Sequence, residues 1–155
     1  MQESHNLVIN ITFFVFLVIM LFLNYNNLLE SKLDINLSIL GIIISIMLLL
    51  SKNNTVCDIA HFLYCFVYLF SIAFFSENLY LLALNVLMTV VIIFTRYRFN
   101  GCLLSKKQNH SGFFVDLNDI VKKYLFFWNW DYLFPALMLV SLGKFMKLKG
   151  YTLNL

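Results

Sequence analysis

Charge is what this sequence has least of. Asp, Glu, Lys and Arg make up 12% of its 155 residues, against ~25% in an ordinary soluble domain. Apolar residues make up 61%, and a chain this short keeps too much surface for a soluble fold to bury that excess. Cysteine is also scarce. The count is three, an odd number; Cys57 and Cys65 lie inside an apolar run and Cys102 stands alone in a polar stretch, which excludes a disulfide framework. No run alternates polar with apolar, which excludes half-buried strands. The sequence has no glycine-rich phosphate loop, no H-E-x-x-H, no C-x-x-C, no G-x-S-x-G and no T-V-G-Y-G filter, so no enzyme or channel signature and no cofactor is implied. Net charge is a modest +3, and no nucleic-acid partner is expected.

What is present is a series of oily runs. Leu7–Leu23, Ile35–Leu50, Ile59–Phe75 and Leu79–Thr95 are each near the short end of the ~17–25 residues needed to cross ~30 Å of hydrocarbon. Backbone in lipid must satisfy its own hydrogen bonds, so the runs predict helices. The first is expected to remain as a span, not to be a cleaved signal: "MQESHN" has no Lys or Arg, and Asn-rich "NYNN" follows where a small-residue cleavage site belongs. The connections "NYNNLLESKLDIN", "SKNNT" and "SEN" are short and rich in turn formers. The last of them makes the third and fourth spans an antiparallel hairpin.

After Thr95 the character changes. The stretch 96–130 begins with basic "RYRFNGCLLSKKQNHSG". It then places Phe113, Leu117, Ile120, Val121, Tyr124 and Trp128 at helical spacing, with acids early and lysines late, as an amphipathic helix at a membrane interface would. A fifth span is expected over 132–148, with Pro135 in its first turn and Lys144 and Lys147 snorkelling to the interface. The expected architecture is an all-α transmembrane bundle of four or five spans with an interfacial amphipathic helix, forming one membrane domain.

Basic residues set its orientation. Lys52, Arg96, Arg98, Lys106, Lys107, Lys122 and Lys123 fall on the side of the N-terminus. Lys32 falls opposite, joined by Lys144, Lys147 and Lys149 if the fifth segment crosses. The tally is seven to four, or ten to one if it does not cross. In both cases the N-terminus and the 96–123 loop face the cytoplasmic or matrix-like side.

The densest polar group within an apolar run is "TVCDIAHFLYCF", 55–66. Cys57, His61 and Cys65 share a helix face at i, i+4, i+8. Cys and His are zinc ligands, but the outer two lie ~12 Å apart along the axis, beyond the ~2.1–2.3 Å reach of one ion; no metal site is assigned. A titrating pair of His61 and Asp58 around a polar cavity with Asn85 is the sharper reading. The plainer and preferred one makes Asp58 the cap of the third helix and has His61 bond Tyr64, Tyr68 or Asn85. Asn85, with Thr89 one turn on, is read as interhelical glue. Arg96 and Arg98 are read as interfacial anchors, or with Lys106 and Lys107 as a contact for anionic lipid. Asp131 is placed as an interfacial cap within reach of an arginine. The expected role is a non-catalytic subunit, scaffold or assembly component whose partners are membrane lipids and other membrane subunits. The alternative is a small transporter or channel around Asp58, His61 and Asn85.

Overall fold

A computed structural model describes residues 2–99 and 130–151, and the regular structure among them is helical. Helix α1 spans Gln2–Tyr25, α2 Lys32–Leu50, α3 Asn54–Phe62, α4 Leu69–Phe75, α5 Leu79–Phe99 and α6 Trp130–Leu148. A π-helical segment, Leu63–Tyr68, joins α3 to α4, making one continuous rod over Asn54–Phe75. The described residues therefore form five rods. The expected amphipathic helix, with Lys106, Lys107 and Trp128, lies outside the described residues.

The rods overrun the apolar runs because polar residues cap them. Ser31 Oγ accepts from the Asp34 N–H at 3.0 Å, Asn53 Oδ1 from Thr55 at 2.9 Å, and Asn78 Oδ1 from Tyr80 and Leu81 at 3.0 and 3.2 Å. Each satisfies donors that a helix start leaves open. At the C-terminus of α1, Asn27 takes φ +52° and Leu28 N–H bonds Leu23 O at 3.0 Å, a Schellman end with asparagine in the left-handed position. Gly150, at φ +81°, ends α6 in the same way.

Four rods, Leu7–Tyr25, Lys32–Leu50, Asn54–Phe75 and Leu79–Arg98, are long and apolar enough to cross a membrane. The fifth, α6, carries Asp131, Lys144 and Lys147, yet it runs the height of the bundle. Three contacts set its register against α5: Arg96 with Asp131 at one end, Asn85 with Ser141 midway, and Lys144 with the Ser76 carbonyl just before α5 begins. The sequence numbers fall on one helix as they rise on the other, so α6 is antiparallel to α5. One expectation is corrected here and another gains a partner. Lys144 reaches the end of the bundle, where its ammonium donates to Phe74 O at 3.1 Å and Ser76 O at 2.6 Å. The reason is that the end of α4 offers unpaired carbonyls, which attract a cation. Pro135 is not in the first turn, because the helix already includes Trp130; its ring leaves the Asp131 carbonyl without a helical donor.

The rod containing α3, the π segment and α4 is central. It packs against α2 on one side, and its α4 part meets α5 and α6 on the other. Within its most apolar stretch 56% of residues are buried, against 28% for α1. On α1 the buried positions are Ile9, Phe13, Phe16, Met20 and Leu23, spaced 4-3-4-3 as in a narrow coiled-coil seam. The rest of α1 is just as oily but points outward: Phe14, Val18, Leu21 and Phe22 are all about half exposed. Ile39, Ile43 and Ile46 on α2 and Leu87 and Phe94 on α5 behave alike. Water would penalise each exposed apolar Å² by ~25 cal/mol, whereas acyl chains would not. The architecture is compatible with an integral membrane protein.

Inside, small residues meet large ones. Ser38, Gly41 and Ser45 form a buried stripe on α2, the kind of surface that lets helices approach closely in lipid. The hydroxyl end of the Tyr68 ring, from the π segment, abuts it, so that a Cβ built on Gly41 would stand 2.9 Å from Tyr68 Cε2. Tyr68 in turn meets Phe16 edge-on at 5.5 Å and stacks on Tyr64 at 5.8 Å. Phe13 closes the cluster against Tyr64 at 5.2 Å. Ring pairs of these geometries contribute ~0.5–1.5 kcal/mol each beyond burial.

Candidate functional site

The polar head of the third rod is built differently from the sequence expectation. Its cap is Asn53, with α3 already under way at Asn54, so Asp58 lies a full turn inside the helix and is buried. Asp58 was expected to be the cap. The stretch "SKNNT" holds several residues able to cap, and Asn53, five residues before Asp58, begins the helix. Cys57 is buried, with its Sγ 3.6 Å from the Ser51 carbonyl. His61 and Cys65 are buried below it.

His61 opens on a lateral cleft between α1, the third rod and α5, with Phe134 of α6 at its edge. Tyr64, Cys65, Met88 and Arg96 also line it. None of the three partners expected for His61 takes its hydrogen bond. Among the described residues, the buried Tyr64 hydroxyl and Asn85 Oδ1 have no hydrogen-bond partner. Tyr68 donates instead to the Met20 sulfur at 3.7 Å. The π register explains Tyr64 in part. A π turn inserts an extra residue and re-aims the side chains of its own turn, here swinging both tyrosines into the aromatic cluster.

Asn85 does not join His61. Its Nδ2 donates to Leu69 O at 3.2 Å and to Ser141 Oγ at 2.8 Å. Leu69 is eight residues beyond His61, about 12 Å along the rod axis. Asn85 therefore ties the third rod, α5 and α6 together at mid-depth. This is the interhelical arrangement expected of it, with Ser141 as the partner that sequence did not supply. Thr89 Oγ1 returns its proton to the Asn85 carbonyl at 2.8 Å.

Arg96 is engaged by protein. Its Nη2 and Nε donate to Asp131 Oδ1 at 2.7 and 3.1 Å, and its guanidinium sits 5.9 Å over the Phe134 ring. This is the arginine partner foreseen for Asp131. The pair is part exposed, Asp131 to 67%, and exposed pairs of this kind contribute little, ~0–1 kcal/mol. Arg98 is exposed near the end of α5. Lys106 and Lys107 lie outside the described residues, so the four-residue anionic contact is only half in view.

At the opposite end lies a polar group that sequence reasoning missed. Asp34 is 4% exposed. Its Oδ2 accepts from Ser31 Oγ at 2.7 Å and its Oδ1 from Ser76 Oγ at 2.6 Å. Ser76 Oγ accepts from the Asn78 N–H at 3.2 Å, Asn78 Nδ2 reaches Leu28 O at 2.8 Å, and Lys144 closes the group on the Ser76 carbonyl. Both inter-rod connections on this side and α6 are thereby tied to one carboxylate. The spacing Ser31-x-x-Asp34 is a capping-box signal and could have marked Asp34. Its burial depends on Ser76, forty-two residues away.

Among the described residues no group of three or more His, Cys, Asp or Glu is placed to hold a metal ion. Comparison with protein-family models, curated proteins and solved structures finds no match to this chain.

Proposed function

We propose that this protein is a multi-pass integral membrane protein acting as a non-catalytic subunit, scaffold or assembly component of a membrane complex. One observation carries the reading: the polar groups at mid-bundle are used to hold helices together. Asn85 bridges to Ser141 and Leu69, and Ser38 accepts from Asn24 and donates to Met20. A transport path would need such groups turned to a wet passage. Spent on one another, they support a rigid scaffold whose apolar outer faces are left for lipid and partner helices. On solubilisation in mild detergent, the tagged chain is expected to fractionate with larger membrane proteins. Recovery only as a solitary monomer under the mildest conditions contradicts the reading. Solute flux by the chain alone in vesicles, lost in His61→Ala, would establish the transporter instead.

The sidedness belongs to the same proposal, with the N-terminus and the 96–123 loop cytoplasmic or matrix-like. In a Cys102→Ser background, Ser105→Cys is expected to react with a membrane-impermeant maleimide only after permeabilisation. Reaction from the outer face of intact cells or organelles reverses the orientation.

A further inference from the structure

The lateral cleft beside His61 has a use that a scaffold alone does not require. Ile9 and Phe13 of α1 form one wall, and Met88 and Ile92 of α5 the other. On α5 the stripe Met88, Ile92, Arg96 climbs at i, i+4, i+8, so an apolar channel ends at a guanidinium. That guanidinium is 21% exposed and lies near the end of its helix, where a span leaves the hydrocarbon. It spends Nε and Nη2 on one oxygen of Asp131, which leaves the Nη1 donors for another acceptor. The cavity volume is about 50 Å³. That is far below the ~300–1,000 Å³ of sites for compact small molecules, so a chain seated here would lie along the open groove with only a small part of its length enclosed.

We propose that this cleft binds one acyl chain of an anionic amphiphile, with the phosphate or carboxylate head held by Arg96. The inference rests on the membrane reading above. A fatty-acid carboxylate and a phospholipid phosphate offer Arg96 the same chemistry, a planar or tetrahedral oxyanion for a forked donor.

The test is photo-crosslinking in phosphatidylcholine vesicles, with cross-linked peptides mapped by mass spectrometry. The probe is phosphatidylglycerol, palmitic acid or phosphatidylcholine, each with a diazirine in its acyl chain. The anionic probes are expected to label Ile9, Phe13 or Met88 about fivefold more than the zwitterionic one, the factor one basic residue supplies at a membrane surface. Whichever anionic probe labels more strongly identifies the head. Arg96→Gln is expected to abolish the preference. Asp131→Asn, which frees the guanidinium, is expected to increase it, and Met88→Trp is expected to suppress labelling at Ile9 by filling the groove. Equal labelling by the zwitterionic probe overturns the proposal, as does a preference that survives Arg96→Gln. Labelling of Phe14 and Phe22 on the outward face of α1 with none in the cleft also overturns it, and leaves the membrane reading standing. Absence of labelling on both faces defeats the two together.

Discussion

Asp34→Ala is expected to destabilise the bundle by about 3 kcal/mol, two charge-assisted hydrogen bonds at ~1.5–3 kcal/mol each, less partial relaxation. The carboxylate is buried and accepts from Ser31 and Ser76. Its removal leaves the fully buried Ser76 hydroxyl with a proton and no acceptor, and low-dielectric surroundings make that loss expensive. Asp34→Asn keeps an oxygen for Ser76 and turns its amide towards Ser31 Oγ, which can accept, so its cost should be near ~1 kcal/mol. The measurement is reversible unfolding in mixed detergent micelles. Hydrogen exchange should show the loss at the two connections and at the end of α6, because Lys144 anchors to the same Ser76. If Asp34→Ala costs no more than Leu33→Ala, at an exposed neighbouring position, the carboxylate is not the tie described above.

The second large effect has a sign that helix propensity alone would get wrong. In an open helix Gly41→Ala should stabilise by ~1 kcal/mol. Here the new Cβ meets the Tyr68 ring at 2.9 Å. The ring has little room to retreat, because Phe16 stands against its face, Tyr64 stacks on it and its hydroxyl reaches Met20. Overpacking of this kind costs ~1–3 kcal/mol and outweighs the propensity gain. Gly41→Ala is therefore expected to destabilise, and Gly41→Val, with two further carbons, by roughly 3 kcal/mol. A double-mutant cycle isolates the contact. Gly41→Ala should cost far less in a Tyr68→Ala background, with a coupling of ~0.5–3 kcal/mol. Strict additivity would mean that the helices part at this seam by some other route.

Some of this was legible from residue order and some was not. The four oily runs each fall inside one rod, because a span needs only a local excess of apolar residues. The turns at Asn27, Asn53 and Asn78 lie where Asn-rich connections placed them. Asp58 was misassigned as a cap because burial does not show in a string, and an earlier asparagine could serve equally well. The π segment has no sequence signal of the kind that proline gives a kink. Asn85 could be named as glue from its type and depth, but not its partner, since Ser141 lies fifty-six residues away. Lys144 could be placed near a helix end from the sequence, but not its acceptors, the Phe74 and Ser76 carbonyls some seventy residues away.

Residue order by itself determined that the chain makes long helices and that oil covers them on every side. Both follow from local chemistry: backbone hydrogen bonds close within four residues, and hydropathy adds up along a single rod. Only the tertiary structure decided which polar groups are interior, that Asp34, Ser76 and Lys144 form one group, and that a groove ending at Arg96 lies between α1 and α5. Those are properties of pairs of helices, set by rotation and register, and neighbours along the chain do not encode them.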